Sequence, residues 1–230
     1  MRVKAMTARP AARLPRSLPL WGLLLALLLG AAGCLGLSQR PAVMVEQYTL
    51  EYPPPQPGGA ASLPVGLLVE RFSLAADYSG QAMLYRPADF RRQAYQYHRW
   101  RANPADLVTD YLLRDLVSSG LFAGVFSHRQ PSPVRFRLQG GVREFLEVDG
   151  DGGPQAVVEV SLSLLDNDYP DLPRRLVFQR IYRQAAAMAE TSAPALARGM
   201  SQAMAELSQR LRDDLRQAVA QRLAQPPDAG

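Results

Sequence analysis

Few side chains in this 230-residue sequence could carry covalent or metal chemistry: one thiol, Cys34, two imidazoles, His98 and His128, and scattered carboxylates. A single cysteine rules out an internal disulfide and a cysteine-cluster metal site. The two histidines fall in different segments, and two imidazoles alone make a poor zinc site, which wants four ligands. Asp166, Asp168 and Asp171 have the acidity of a calcium loop but lack the glycine and the distal glutamate of an EF-hand, so they read as a solvated turn around Pro170. Asp149 and Asp151 read in the same way, as residues of a hairpin connection. No G-x-S-x-G, H-E-x-x-H, P-loop or G-x-G-x-x-G is present, so no residue is nominated as catalytic. The expectation is no enzyme, no metal and no dissociable cofactor.

Cys34 has a more informative setting. Arg2, Lys4, Arg9, Arg13 and Arg16 precede an apolar run from Leu20 to Leu29, and Gly30-Ala31-Ala32-Gly33 follows it. Ten such residues make a helix of roughly 15 Å, about half the hydrocarbon thickness of a bilayer, which suits the apolar region of an export signal better than a permanent span. Ala31-Ala32-Gly33-Cys34 resembles a bacterial lipobox, with Ala31 where leucine is commoner. The resemblance implies transfer of diacylglycerol to the Cys34 thiol, cleavage between Gly33 and Cys34, and acylation of the new amine. Those acyl chains would hold the protein on a bilayer at roughly 0.8 kcal/mol per buried methylene. Leu35 stands where lipoproteins retained in the inner membrane typically carry aspartate, so the expected address is the periplasmic face of the outer membrane. The competing reading is an ordinary secreted chain whose cleavage site happens to precede a cysteine.

The formal charge of +5 belongs to this leader. Once its five cations are set aside, 21 basic and 21 acidic side chains remain. Backbone binding to nucleic acid needs a cationic surplus on the folded part, and none is left.

Beyond the anchor the chain divides into a lipidated terminus and tether (34–45), a domain (46–224) and a short disordered tail (225–230), behind a signal peptide (1–33). Gln47 to Tyr52 alternates like a first strand, and Pro53 to Gly59 stops it. Val65 to Phe72 is a compact apolar run suited to a buried strand. Ala82 to Arg86 and Gln93 to His98 are further strands, separated by the turn-prone Pro87-Ala88-Asp89. Asn103-Pro104-Ala105-Asp106 is a helix start: a capping side chain, a proline where no N–H is needed, and an acid at the positive end of the dipole. Leu107, Val108, Tyr111, Leu112 and Leu116 give that helix one apolar face, and Gly120 can end it. Four strands follow, Ala123–Ser127, Val134–Val148, Ala156–Leu165 and Arg174–Ala185, two of them alternating as if one sheet face were buried. From Ser192-Ala193-Pro194 a last helix runs to about Leu223. Met200, Met204, Leu207, Leu211 and Leu215 share one arc of it, and Gln202, Glu206, Gln209, Arg210, Asp213 and Arg216 lie opposite.

One segment is unusually rich in aromatic residues and arginine: Tyr78, Met83, Tyr85, Arg86, Tyr95, Tyr97, His98, Arg99, Trp100 and Arg101. Such residues are enriched at binding hot spots because they combine contact area with polar tips. Tyr78, Met83, Tyr85, Arg86, Tyr97 and Trp100 are therefore candidate partner-binding residues. The alternative is that Tyr85, Tyr97 and Trp100 fill a core beneath the capped helix.

In order along the chain, Tyr48-Thr49-Leu50 behind Cys34, Leu68 to Phe72, Tyr78 with Met83 to Arg86, Tyr97 to Trp100 leading through Asn103-Pro104 into a helix, Val157 to Leu165, Phe178 to Arg183 and the long terminal helix resemble the ABC-type transport auxiliary lipoproteins, the PqiC-like partners of MCE-domain lipid transporters. The acidic insertion at Asp166 to Pro173 departs from that pattern. The resemblance implies an α/β (α+β) sandwich: a mostly antiparallel or mixed sheet with one mid-chain helix and one long C-terminal helix packed on it. It also implies docking to an MCE-domain protein of a system that moves lipids between inner and outer membranes, with a homo-oligomer around the partner as one arrangement. The alternative function is a lipoprotein that itself binds lipid or lipopolysaccharide in a pocket between sheet and helices.

Overall fold

A thirteen-residue strand, β7 (Phe136–Val148), is the spine of the protein. The computed structural model describes residues 44–225 apart from 60, 79, 131 and 151. The export signal, Gly33, Cys34, most of the tether and residues 226–230 lie outside the described residues. Along one edge β7 pairs antiparallel with β8 (Gln155–Asp166) over its whole length, and β8 pairs antiparallel with β9 (Leu176–Ala187). Its other edge is shared in succession, always in parallel, by β2 (Leu63–Val69), β3 (Ser73–Leu74) and β4 (Ala82–Ala88). Outside β2 lies β6 (Phe122–Ser127), parallel to it; outside β4 lie β5 (Arg91–Trp100), antiparallel, and β1 (Glu46–Tyr48), parallel to β5. The nine-stranded sheet is mixed and open, with the expected mid-chain and C-terminal helices.

Both helices are built by local signals. Asn103 caps α1 (Pro104–Ser118) by accepting from the Asp106 N–H at 3.0 Å, and Leu107, Val108, Leu112 and Leu116 are buried. Gly120 just beyond takes φ +61°, a left-handed conformation that glycine adopts without steric cost. A single turn, α2 (Leu172–Arg175), precedes β9, which therefore starts two residues later than the pattern predicts. Ser192 caps α3 (Ala193–Ala224) by accepting from the Ala195 N–H.

Met200, Met204, Leu207, Leu211 and Leu215 form the buried stripe of α3, facing the Val158, Val160, Leu162 and Leu164 side of β8. The helix lies close to the strand, since a Cβ on Gly199 would sit 2.9 Å from that of Ala156. The reverse side of the sheet is polar. There Arg183 reaches Glu144 and Glu159 at 3.6 Å, Arg143 reaches Glu159 at 3.4 Å, and Ile181 stands exposed among them.

Two expectations are corrected here. The first strand stops at Tyr48 because the backbone turns from the sheet toward the helices. Leu50 is buried and its carbonyl accepts from Tyr111, Glu51 N–H donates to Ser201, and the Tyr52 hydroxyl donates to buried Asp115. Asp166 is no solvated turn residue, because its side chain is wholly buried. Its carboxylate accepts two hydrogen bonds from Arg135, at 3.0 and 2.9 Å, and one at 3.0 Å from Arg222 in the last turn of α3. Arg222 also lies 4.0 Å over the Tyr169 ring and donates to the Arg174 carbonyl. The acidic insertion thus fastens the end of the long helix to the sheet.

Candidate docking surface

Five of the six candidate residues lie on β4 and β5, and Tyr78 lies in the connection before β4; they do not share one face. β4 and β5 pair with Leu84 opposite Ala94 and Tyr85 opposite Gln93; the register shifts slightly toward the hairpin, where Ala88 lies opposite Arg91, and slips by more at the other end, where Ala82 lies opposite Arg99. The extra residues of β5 bulge outward, as expected where one strand carries more residues than its partner. Arg99 fastens the bulge by donating to the carbonyls of Tyr95 and His98.

The bulge sets aromatic rings in a row across three strands. Tyr85 and Tyr95 lie 5.1 Å apart between centroids, Tyr95 and His98 5.9 Å, and His98 and Tyr48 5.7 Å. These are edge or tilted contacts, the arrangement that ring quadrupoles favour. Their polar ends are occupied: Tyr85 donates to Gln93, Tyr95 to Glu147 at 2.6 Å and Tyr48 to Glu46 at 2.5 Å. Glu147 is buried beneath the row with Oε1 unpartnered, and burial pushes its carboxyl above the usual range although the Tyr95 hydrogen bond opposes this. Burial and the bond to Glu147 push the Tyr95 phenol up in turn, so Tyr95 remains a donor. Beside the row a cleft of about 550 Å³ opens between Tyr48 and Glu51 on one side and Arg198 and Ser201 of α3 on the other.

The six candidates divide. Tyr85 and Arg86 are half-buried at the surface, Arg86 lying 3.6 Å from Glu144, and Tyr97 is 42% exposed. Tyr78, Met83 and Trp100 are core residues and present nothing to a partner. Trp100, at 0% exposure, stacks edge-on against Phe145 at 5.0 Å. The Tyr78 hydroxyl accepts from the Phe145 N–H at 2.7 Å, and Met83 is sealed on the same side. Sequence reasoning missed Glu147; its signal was an acid within the apolar run Phe145-Leu146-Glu147-Val148. Trp100→Ala should therefore cost about 3–5 kcal/mol of stability, whereas Tyr97→Ala should change it by no more than about 0.5 kcal/mol. Thermal unfolding of the two variants checks this, and equal midpoints would refute the division.

Among the described residues no cluster of three or more His, Cys, Asp or Glu side chains is placed to hold a metal. No described helix is long and apolar enough to cross a membrane. The model of the family described as "ABC-type transport auxiliary lipoprotein component" matches residues 48–212, from the end of β1 through most of α3. The chain belongs to this family.

Family membership makes the protein a lipoprotein that serves ABC-type transport, with a membrane-anchored, periplasmic position, in a family of transport auxiliaries rather than enzymes. The fold is shared with solved structures. One, a Xanthomonas campestris protein of the DUF330 family, is 22% identical with a TM-score of 0.67, covering 79% of this chain and 100% of its own. A second, an uncharacterized protein, is 16% identical with a TM-score of 0.58, covering 75% of this chain and 99% of its own. At these identities the likeness concerns fold alone. No curated protein matches the sequence.

Proposed function

We propose that this family member is an outer-membrane lipoprotein, acylated on Cys34, that docks an MCE-domain protein of a lipid-moving ABC system at the periplasmic face. The observation that carries the docking reading is where the protein puts its side chains. The layer between sheet and helices, where a lipid carrier would need its pocket, is filled by Leu162, Leu164, Met204, Leu207 and Leu211, all wholly or almost wholly buried. A row of rings, Tyr85, Tyr95, His98 and Tyr48, is instead displayed outside, on β4, β5 and β1. Acyl anchoring would confine this surface to two dimensions and raise its effective concentration for a partner arriving from the inner membrane.

Capture with crosslinking tests the reading. The wild-type chain should recover an MCE-domain protein, and Tyr85→Ala combined with Tyr97→Ala should lower recovery roughly tenfold, the scale of one or two lost hot-spot contacts, with the unfolding midpoint unchanged. Repeated absence of that partner, together with lipid retained on the protein in native mass spectrometry, would favour the carrier function.

A further inference from the structure

We propose that the tip of the β4–β5 hairpin, Asp89-Phe90-Arg91, is a lipid-surface contact that seats the domain against the leaflet holding its anchor; this rests on the lipoprotein reading above. Three observations converge on it.

Phe90 is the most exposed large hydrophobic side chain among the described residues, at 105% of its reference area, and it packs on nothing. Its φ is +61°, a region where turns take glycine or asparagine and where an aromatic residue is costly. Turn geometry alone gives no reason for a phenylalanine here.

The tip is also charged, with Asp89 and Arg91 flanking the ring. Arg91 is exposed and has no acidic partner among the described residues, while behind it Arg92 pairs with Asp77 and Arg86 with Glu144. Arg86, Arg91 and Arg92 line one open concavity of about 630 Å³ with Asp89 and Phe90. An apolar ring beside guanidinium groups suits the boundary between acyl chains and anionic headgroups.

Direction supplies the third argument. β1 runs parallel to β5, with Glu46 opposite His98 and Tyr48 opposite Trp100, so the chain enters β1 from the end where the hairpin lies. Met44 and Val45, both exposed, lead in from that end. Ten residue steps connect Met44 to Cys34, a path of at most about 35 Å. From His98 back to Arg91 the strand covers roughly 23 Å at about 3.3 Å per residue, so hairpin and anchor are able to meet one bilayer. A protein partner fits the tip less well. Stable protein interfaces need about 800 Å² per side, and a narrow two-stranded tip offers little flat area, whereas lipid demands no shape complementarity.

Once Cys34 is acylated, Phe90→Cys supplies the chain's only free thiol. The full-length protein, purified from membranes and reconstituted into phosphatidylethanolamine–phosphatidylglycerol vesicles, is labelled there with an environment-sensitive fluorophore. Gln202→Cys on the exposed side of α3 is the control. Emission at position 90 should shift to the blue and be quenched by lipids carrying a nitroxide near the headgroup, with neither effect at position 202; adding Arg91→Glu should reduce both. A vesicle-bound chain whose position-90 label stays in water would overturn the hairpin contact alone. A chain absent from the vesicle pellet would overturn anchor and contact together. A label buried only when a protein partner is added would overturn the lipid assignment in favour of protein docking.

Discussion

Asp166→Asn lowers the thermal unfolding midpoint by roughly 10 °C at neutral pH, while far-ultraviolet dichroism at room temperature stays that of the folded protein. The expectation follows from four hydrogen bonds that converge on one buried carboxylate, two from Arg135, one from Arg222 and one from the Asp168 N–H. Removing the shared acceptor of such a cluster costs about 3–5 kcal/mol where the donors keep no other partner, and here Arg135 retains Asp168 at 3.0 Å. Both arginines keep part of their hydration, with side-chain exposures of 21% and 17%, so the lower end applies. For a domain of this size about 3 kcal/mol corresponds to roughly 10 °C.

The same carboxylate gives the wild type an acid limb. Burial pushes the Asp166 carboxyl up, but hydrogen bonds from Arg135, Arg222 and the Asp168 N–H outweigh it and hold the group below its usual range. The folded state therefore binds this proton less readily than the unfolded chain does. Its contribution is complete above the ordinary carboxylate range near pH 4 and is lost as pH falls through the lowered folded value. Between pH 7 and pH 3 the wild type should lose more stability than the asparagine variant, and parallel losses would show that Asp166 does not set the limb.

Why this cluster escaped the sequence while the helices did not is a matter of range. Asn103-Pro104 and Ser192-Ala193-Pro194 cap helices with neighbours one turn away, and the Met200 to Leu215 stripe follows helical spacing, so each can be read locally. The counter-ions of Asp166 stand 31 and 56 residues away, and nothing near it distinguishes a clamped acid from a solvated one. Thr49 to Tyr52 pattern as strand, yet their partners Ser201, Tyr111 and Asp115 lie on the helices. The aromatic segment was visible as composition. Its arrangement was not, because the irregularity between Ala94 and Arg99 brings Tyr95 and His98, three residues apart, onto one side, and no spacing rule announces a bulge. Pro87 mimicked a turn for a related reason: it lies beyond Arg86, the last residue of β4 paired to β7, so its missing N–H costs that ladder nothing and the real turn falls at Asp89-Phe90.

Cys34→Ser abolishes recovery of the chain with the outer membrane. Under the proposed acylation, serine keeps the small side chain but lacks the thiol that would accept diacylglycerol, so thioether formation, cleavage after Gly33 and amine acylation should all fail in order. One fatty chain gives only marginal binding, on the order of 10⁴ M⁻¹, whereas the proposed diacylglycerol and N-acyl group together would place three chains in the leaflet, making dissociation negligible. The uncleaved precursor keeps the Leu20 to Leu29 run, whose roughly 15 Å is about half the hydrocarbon thickness and gives no stable span, so the variant has no route to the outer membrane. Two readouts separate the steps. Intact mass should show the wild type beginning at Cys34 with added acyl mass and the variant with its full leader and none, while membrane fractionation should place only the wild type in the outer membrane. A serine variant still found there, or a mature wild type without acyl mass, would leave the docking surface without the confinement that makes a modest patch of tyrosines effective against a partner from the opposite membrane.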